Sequence, residues 1–414
     1  MARLMQVVVF EDERVTQLYP ASIGRPVCAI SCGSFRLLDL LPKLGDVYLL
    51  VRPHLGPTLK ADGLNVGMPQ GAGEATLLVN ARLVPSIANF HVLESLVAAG
   101  KPGAIRQNGL TVAAMLSAEH PRLTADVGPG ELQQYLATLK PLEAPSELPM
   151  FDYPHDIVRH HLTSLSANLE YRLRNGKYEE VADGVFVGAG AKLGQYVVSE
   201  TSKGPIVLEE GASVGPYCYL SGPAHLGRNA RIIEHSAVKD SVSLGHTTKA
   251  GGELEGSILE PYTNKQHHGF LGHCYLGSWV NLGAGTCNSD LKNTYGQVNM
   301  EYHGQKVATG MQFLGCIVGD YAKSAINTGI FTGKTVGVCS MLYGFVTTNV
   351  PSFVNYARSF GQVTEASVEI VVKTQARMFA RRNVEQRPCD IQLLYDMYEL
   401  TRHERQIAGE PLSL

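Results

Sequence analysis

The chain has 414 residues, enough for two or three domains that each bury a core. With 35 Lys and Arg against 38 Asp and Glu, a formal charge of −3, it lacks the basic excess that nucleic acid or an anionic membrane demands, and neither is expected as a partner. No apolar run approaches the roughly 18–20 residues of a transmembrane helix, and the opening MARLMQVVVFEDE puts acids where a signal peptide still needs its apolar stretch, so no targeting segment and a cytoplasmic location are expected. Eight cysteines spread from Cys28 to Cys389 without a CxxC pair fit reduced, buried thiols rather than a disulfide framework or a zinc ribbon.

The first segment contains three short apolar runs, Val7–Phe10, Val47–Val51 and Thr76–Val79, of the kind that form strands buried on both faces. Between them Phe35, Leu37, Leu38 and Leu41 have helical spacing, so a compact α/β domain with a mainly parallel sheet is expected. Residues 101–140 read as irregular and helical. Four prolines between Lys140 and Pro154 interrupt any regular element, and the domain boundary is placed there, with residues 1–145 as the first domain. In the following segment, 146–180, Val158, Leu162, Leu165, Leu169 and Leu173 form the stripe of one amphipathic helix ending near Asn175-Gly176, with His155, His160 and His161 on its polar face.

From residue 181 the period changes to six. Leu208, Val214, Leu220, Leu226, Ile232, Val238 and Leu244 form an unbroken ladder, and the same phase returns in Val187-Gly188, Leu193-Gly194, Leu276-Gly277, Leu282-Gly283, Val318-Gly319, Ile330 and Val336-Gly337. Neither a helix nor a single strand repeats every six residues; a parallel β-helix of hexapeptides does, one short strand and one turn per repeat. Glycines, 43 in all, concentrate in this part of the chain, where the turns need them. The β-helix is expected over 181–350, with breaks at about 246–275 and 286–313, where binding chemistry would sit. Residues 351–414 form a helical extension in which Lys373, Arg377, Arg381 and Arg382 read as a solvated basic face.

The string Asn264-Lys265-Gln266-His267-His268-Gly269-Phe270-Leu271-Gly272, followed by Leu276-Gly277-Ser278-Trp279-Val280-Asn281-Leu282-Gly283-Ala284-Gly285-Thr286, resembles the bifunctional N-acetylglucosamine-1-phosphate uridylyltransferase/glucosamine-1-phosphate N-acetyltransferase family, in a form with a shortened N-terminal domain. The run from Leu314 to Asn327 is similar to archaeal members. The resemblance implies a Rossmann-like nucleotidyltransferase domain followed by a left-handed β-helix that forms homotrimers, with acetyl-coenzyme A lying between adjacent helices and a sugar phosphate or nucleotide sugar as acceptor. It implies His267 as the base, with His268 one step out of register as the reserve. A histidine suits the task, because the attacking amine must lose a proton near neutral pH. Asn281 falls on a substrate-binding asparagine, backbone N–H groups would hold the oxyanion, and Lys323, Ala325, Ile326 and Asn327 fall on the acyl-carrier site.

Several positions depart from the family. Its active-site lysine, tyrosine and second asparagine correspond to Glu255, Phe270 and Asp290, with Lys265, Asn288 and Lys292 as nearby substitutes, so the acceptor need not be glucosamine 1-phosphate. In the first domain, Phe10-Glu11-Asp12-Glu13-Arg14 replaces the glycine-rich phosphate loop and Arg82 stands where the metal-binding aspartate belongs; Arg25 and Arg82 remain as phosphate ligands, and Mg²⁺ is implied only if that domain is active. Two other readings stand beside acetyl transfer. One is a γ-type carbonic anhydrase-like zinc enzyme built on His268 and His273 with His235 or His246, and the other is a trimeric scaffold that binds a nucleotide sugar without turning it over.

Overall fold

The computed structural model describes residues 5–69, 75–118, 128–302 and 304–406; residues 1–4, part of the opening on which the targeting expectation rests, lie outside the described residues. The chain divides into two compact units at Tyr153/Pro154, later than residue 145, with Tyr19–Gly24 and Cys32–Ser34 belonging to the second unit.

The first unit is built on a six-stranded sheet of β1 (Met5–Phe10), β2 (Gly45–Leu50), β3 (Asn65–Val66), β4 (Thr76–Asn80), β5 (Gly103–Gln107) and β6 (Leu110–Leu116), in the order β3-β2-β1-β4-β6-β5. The first four strands run parallel, and β6 is antiparallel to both its neighbours. Val7, Val8, Val9 and Phe10 are completely buried, as a central strand covered on both faces requires. Helix α1 (Ile87–Ala99) starts on Ser86, whose Oγ accepts the Asn89 N–H at 3.2 Å, and stops at Gly100 in the left-handed conformation. Helix α2 (Pro129–Thr138) buries Leu132 and Leu136 against Val8, Phe10, Leu78 and Ala114. The segment expected to be irregular and helical thus begins with a hairpin. Its turn, Asn108-Gly109, has φ of 51° and 77°, the signature of a two-residue hairpin, and the helix-favouring Ala113, Ala114 and Met115 are drawn into the sheet by pairing with β4.

The second unit opens with α3 (Pro154–Asn175), which buries Leu165 and Leu169 with Val207. His155 and His161 are not on a solvated face. His161 is fully buried, with Nδ1 accepting the Gly33 N–H at 3.0 Å and Nε2–H donating to the Ser241 carbonyl at 2.8 Å. Burial holds its pKa near 4, so it is a neutral structural pin. His155 pairs with the Tyr302 hydroxyl at 2.9 Å, and burial lowers its pKa to about 4 as well.

The remainder is a parallel β-helix with three sheets. Ile206, Ala224 and Val242 pair in sheet I, Ser213, Arg231 and Lys249 in sheet II, and Tyr219, Ala237 and Glu253 in sheet III. All seven residues of the six-residue ladder lie in one continuous core, each at most 4% exposed. Three repeats make one coil, and each sheet gains one strand per coil.

The two expected breaks differ from each other. Between residues 246 and 275 the coils continue without interruption through Lys249–Ala250, Glu253–Glu255, Ile258–Leu259, Asn264–Lys265, Phe270–Gly272 and Tyr275–Leu276. What changes there is the inward residue, Lys265 in register with Ala250, and a shortened turn, Gly251-Gly252. The second break is a true insertion, carrying the antiparallel hairpin Asn299–Tyr302/Gln305–Ala308, after which Tyr275 pairs directly with Ile317. Coils persist beyond residue 350 to Val354–Ala357, which the antiparallel strand Gln362–Glu365 caps. Helices α4 (Val368–Ala380), α5 (Pro388–Leu400) and α6 (Arg402–Gln406) follow. Among the described residues no helix is long and apolar enough to cross a membrane.

Because Leu226 is fully buried in the closed interior of a rigid solenoid, Leu226→Ala should cost about 2–5 kcal/mol in denaturant unfolding, near the upper end where the cavity cannot collapse. A loss below about 1 kcal/mol would contradict the packed interior.

Candidate active site

The period that builds the β-helix also stacks its outward side chains. In sheet II, Lys249 pairs with Asn264, Asn264 with Asn281, and Asn281 with Lys323, forming one column of polar side chains across four coils. At the corner before this column Tyr262 and Trp279 stack with centroids 4.2 Å apart and planes 5° from parallel. Phe379, near the end of α4, packs on the Trp279 ring at 4.5 Å. That contact brings the residues after α4 over the column, where Arg382 Nη2 donates to Asn264 Oδ1 at 2.6 Å.

These elements enclose a cleft of about 620 Å³, whose lining includes Lys249, Lys323, Arg381 and Arg382 and, among the described residues, no carboxylate. The cations feel one another. Burial, then the arginines 382, 231 and 381, hold Lys249 below its ordinary pKa, and burial, then Arg381, lowers Arg382. Burial also lowers Lys323, whose Nζ donates to the Tyr321 carbonyl at 2.8 Å. Positive charge gathered in a concave site without a counter-charge fits an anionic ligand, and the Tyr262–Trp279 shelf gives that ligand an aromatic surface.

His267, Asn281, Lys323 and Ile326 line this cleft, as four of the residues assigned to acyl transfer from the sequence. His267 lies exposed in the turn between sheets II and III. The others lie elsewhere. Lys265 points into the β-helix interior, 1% exposed, and donates to the Gly251 carbonyl at 2.9 Å and the His267 carbonyl at 2.6 Å; it braces the turn rather than offering its charge to a ligand. Burial pushes its pKa down to about 8. Phe270 is in sheet III, its N–H donating to Cys287 Sγ at 3.3 Å, and Asp290 accepts from His273 Nδ1–H at 2.8 Å. Asn288 is buried against the Gly272 backbone, and Lys292 donates to the Gln297 carbonyl. Ala325 donates its N–H to Leu342, and Asn327 is exposed at the next turn. Glu255 lies 3.6 Å from the Lys239 ammonium.

The sequence reading passed over Lys249, Tyr262, Asn264 and Trp279, which one coil's spacing from Asn281 and Lys323 would have exposed. It also took Arg381 and Arg382 for a solvated face. The four histidines of the zinc reading do not converge within the chain. Among the described residues no three His, Cys, Asp or Glu side chains are grouped to hold a metal; His273 is bonded to Asp290, and His246 and His235 pack on tyrosines.

In the first unit the expected phosphate ligands are otherwise occupied. Glu11 turns inward and accepts the N–H groups of Val27 and Arg52 and the Arg52 guanidinium, Nε to Oε2 at 2.9 Å. Arg82 is fully buried. Its Nε and Nη2 bind both oxygens of Asp12 at 2.9 and 2.8 Å, and its Nη1 donates to Asp152 and to the Phe151 carbonyl, each at 2.8 Å. Asn80 takes a further bond to Asp12 at 2.9 Å. Arg82, fully buried and committed to Asp12, Asp152 and Phe151, is closed to a phosphate, and Asp12, 3% exposed, gives both its oxygens to Arg82 rather than to a cation. The residues present do not fit a Mg²⁺ ion there. Arg25 is half-buried, its carbonyl accepting from Arg52.

Comparison with known proteins agrees with the likeness seen in the sequence. Residues 7–175 match the sugar nucleotidyl transferase family. The chain is 26% identical over 143 residues to a bifunctional sugar-1-phosphate nucleotidylyltransferase/acetyltransferase of Sulfurisphaera tokodaii, covering 34% of this chain and 36% of that protein. It is 29% identical over 115 residues to the bifunctional protein GlmU of Cupriavidus pinatubonensis, covering 27% and 24%. The matches thus span about a third or less of these relatives. Among solved structures, the UDP-N-acetylglucosamine acyltransferase of Francisella novicida aligns with 56% of this chain and 79% of its own at 15% identity and a TM-score of 0.36. The polySia-specific acetyltransferase NeuO aligns with 49% and 99% at 14% identity and a TM-score of 0.26.

Two measurements check these assignments. Lys265 is disfavoured as an ammonium in the folded state, so between about pH 8 and its ordinary value near 10.5 the unfolded chain binds the extra proton and stability rises with pH. Relative to Lys265→Met, the wild type should gain up to about 3 kcal/mol across that window; parallel stability curves would contradict it. Arg82→Met leaves Asp12 buried without its counter-charge and should cost about 3–5 kcal/mol in unfolding of the first unit, whereas a neutral effect would mean that the pair is not buried.

Proposed function

We propose that the protein is an acetyl-coenzyme-A-dependent N-acetyltransferase acting on an amino sugar carried as a sugar phosphate or nucleotide sugar. The observation that carries this reading is His267 on the rim of a cleft whose charge is all cationic. The cleft's cations and its aromatic shelf suit the phosphates and the ring of a nucleotide-bearing acyl carrier. Lys249, Lys323, Arg381 and Arg382 would hold the phosphates, and the ring would lie against the edge of the Tyr262–Trp279 stack. The carrier supplies the acyl group as a thioester.

His267 removes the proton that the amine loses as its nitrogen bonds to the acyl carbon and the carbon–sulfur bond breaks, and returns that proton to the departing sulfur. The brace from Lys265 to the His267 carbonyl fixes the backbone from which the imidazole projects. The Gly283-Ala284 stretch brings main chain to the cleft wall, where the Ala284 N–H would meet the developing oxyanion while the Gly283 N–H is held by Ser324. The first unit, with its cation position closed by Arg82, contributes sugar or nucleotide recognition rather than nucleotidyl transfer. Assembly as a homotrimer places the open cleft of each β-helix beside its neighbour, and such an enzyme would work in the cytoplasm in nucleotide-sugar synthesis.

His267→Ala should lower acetyl transfer by about 10²–10⁴-fold, the range of a lost general base, while acetyl-coenzyme A still perturbs the fluorescence of the single tryptophan, Trp279, in the cleft. Near-normal turnover in that variant would overturn the assignment, and so would a chain that releases no thiol with any amino sugar.

A further inference from the structure

We propose that Arg382 is a positioning residue: acting through Asn264, it turns the Asn281 amide so that its N–H₂ group, with the Lys323 ammonium, forms a site of donors only for a phosphate oxygen of the acyl carrier. This rests on the acyl-transfer reading above, which uses Arg382 for its charge alone.

An asparagine amide can face a neighbour with its oxygen or with its nitrogen, and its partners decide which. In the sheet II column two such amides, Asn264 and Asn281, stand side by side between Lys249 and Lys323. Alone, the two can bond head to tail in either direction. Arg382 removes the choice, because a guanidinium only donates. Its Nη2 donates to Asn264 Oδ1 at 2.6 Å, which leaves Asn264 Nδ2 for the next coil, where it donates to Asn281 Oδ1 at 3.4 Å. Asn281 is exposed, and what it has left to offer is Nδ2, for which no described residue supplies an acceptor. Lys323, the next member of the column, donates one N–H to the Tyr321 carbonyl at 2.8 Å and keeps its other donors. This end of the column therefore presents N–H groups and no lone pair, in a cleft without a carboxylate among its described lining residues. A phosphate oxygen, which only accepts, completes it. With the amides reversed, Asn281 would present Oδ1 and the same oxygen would meet a lone pair.

The local fold holds Arg382 in place. Helix α4 stops at Ala380, the N–H groups of Arg382 and Val384 both donate to the Phe379 carbonyl, at 2.9 and 3.0 Å, and Asn383 takes the left-handed conformation with φ of 55°. Gln386 ties the segment that follows to α4, its Nε2 donating to the Val372 carbonyl at 3.0 Å and to Gln375 Oε1 at 2.7 Å. The residue whose carbonyl closes this turn, Phe379, is also the one whose ring packs on Trp279, so one anchor fixes both the turn and its place beside the column. Arg381 lines the same cleft with the same charge, but among the described residues it makes no hydrogen bond to the column. The two arginines thus separate charge from orientation.

The test is a double-mutant cycle in the full chain, read by calorimetric titration with acetyl-coenzyme A and, separately, with inorganic pyrophosphate. Arg382→Met removes charge and orientation together, whereas Arg381→Met removes charge alone. Arg382→Met should weaken both probes about 10- to 30-fold in the wild-type background, but only about 3-fold where Asn281→Ala has already removed the amide it orients. Asn264→Leu, which breaks the link without changing the charge, should abolish the same excess. The loss on Arg381→Met should be equal with and without Asn281→Ala. Added salt should shrink the Arg381→Met loss and leave the coupling of Arg382 to Asn281 in place, since screening acts on charge and not on the direction of an amide. Losses at Arg382 and Asn281 that multiply to within about 2-fold, or a wild type that binds neither probe, would overturn the relay. Coupling with acetyl-coenzyme A but not with pyrophosphate would overturn the phosphate as its ligand. Coupled binding of pyrophosphate by a wild type that transfers no acetyl group would uphold the relay and overturn the acyl-transfer reading instead.

Discussion

Everything the second unit does depends on the burial of one aliphatic side chain every six residues. Three such positions close a coil, and the core they fill is continuous from Val185 to Tyr356. That interior fixes the outside as well. Once Ile232, Ala250 and Lys265 are held in register inside, the residues beside them, Arg231, Lys249 and Asn264, must line up outside at the same spacing. The polar column of sheet II and the stacked rings of Tyr196, Tyr217 and His235 at the next corner are therefore not separate inventions. Each is the outer copy of an inner ladder, and a residue's role follows from which corner or face its place in the period assigns to it.

The ladder is also why so much was legible in the sequence. Leu208 to Leu244 announce the β-helix because nothing else repeats every six residues, and Val7 to Phe10 announce a buried strand because both faces are apolar. The failures have physical causes of their own. Residues 246–275 looked like an interruption because Lys265 stands at an inward position and the turn lost two residues. The coil tolerates both: the lysine finds two carbonyls, and glycines make the short turn. Residues 110–116 looked helical because alanine and methionine are helix formers, and long-range pairing with β4 overrode that preference. Arg381 and Arg382 looked solvated because their sequence neighbourhood is a surface helix, and only the packing of Phe379 on Trp279 carries them to the cleft. The Asn108-Gly109 turn, by contrast, is a hairpin signal that the sequence itself carries.

Charge follows a similar rule in both units, in that a departure from the aliphatic pattern is compensated nearby. Glu11 and Asp12 at the end of the central strand are each met by an arginine, Arg52 and Arg82, and the latter is so completely bonded that it closes the position where a cation would need a carboxylate. A buried pair of this kind contributes little to stability relative to an apolar pair, but it is costly to break, so it fixes the geometry around it. The cationic cleft is the exception. Lys249, Lys323, Arg381 and Arg382 meet no carboxylate among the described lining residues; burial holds Lys249, Lys323 and Arg382 below their ordinary pKa, and neighbouring arginines add to the shift of Lys249 and Arg382. Four cations gathered around one cleft without a carboxylate in its described lining suit a negative charge that the cleft does not itself carry.

His267 stands between two surfaces of opposite sign. The cleft on one side is positive, and the corner and sheet III on the other carry Glu234, Glu253 and Glu255, the last two beside Lys239. An amine near neutral pH arrives protonated and cannot attack until it gives up that proton. On the proposed acyl-transfer reading, carboxylates on the corner side would favour the amine's arrival as a cation, and His267 would take its proton as the carbon–nitrogen bond forms. The separation needs no moving part. It follows from placing a histidine at the corner between two sheets whose outward residues differ in sign, and the brace from Lys265 keeps that corner where the two surfaces meet.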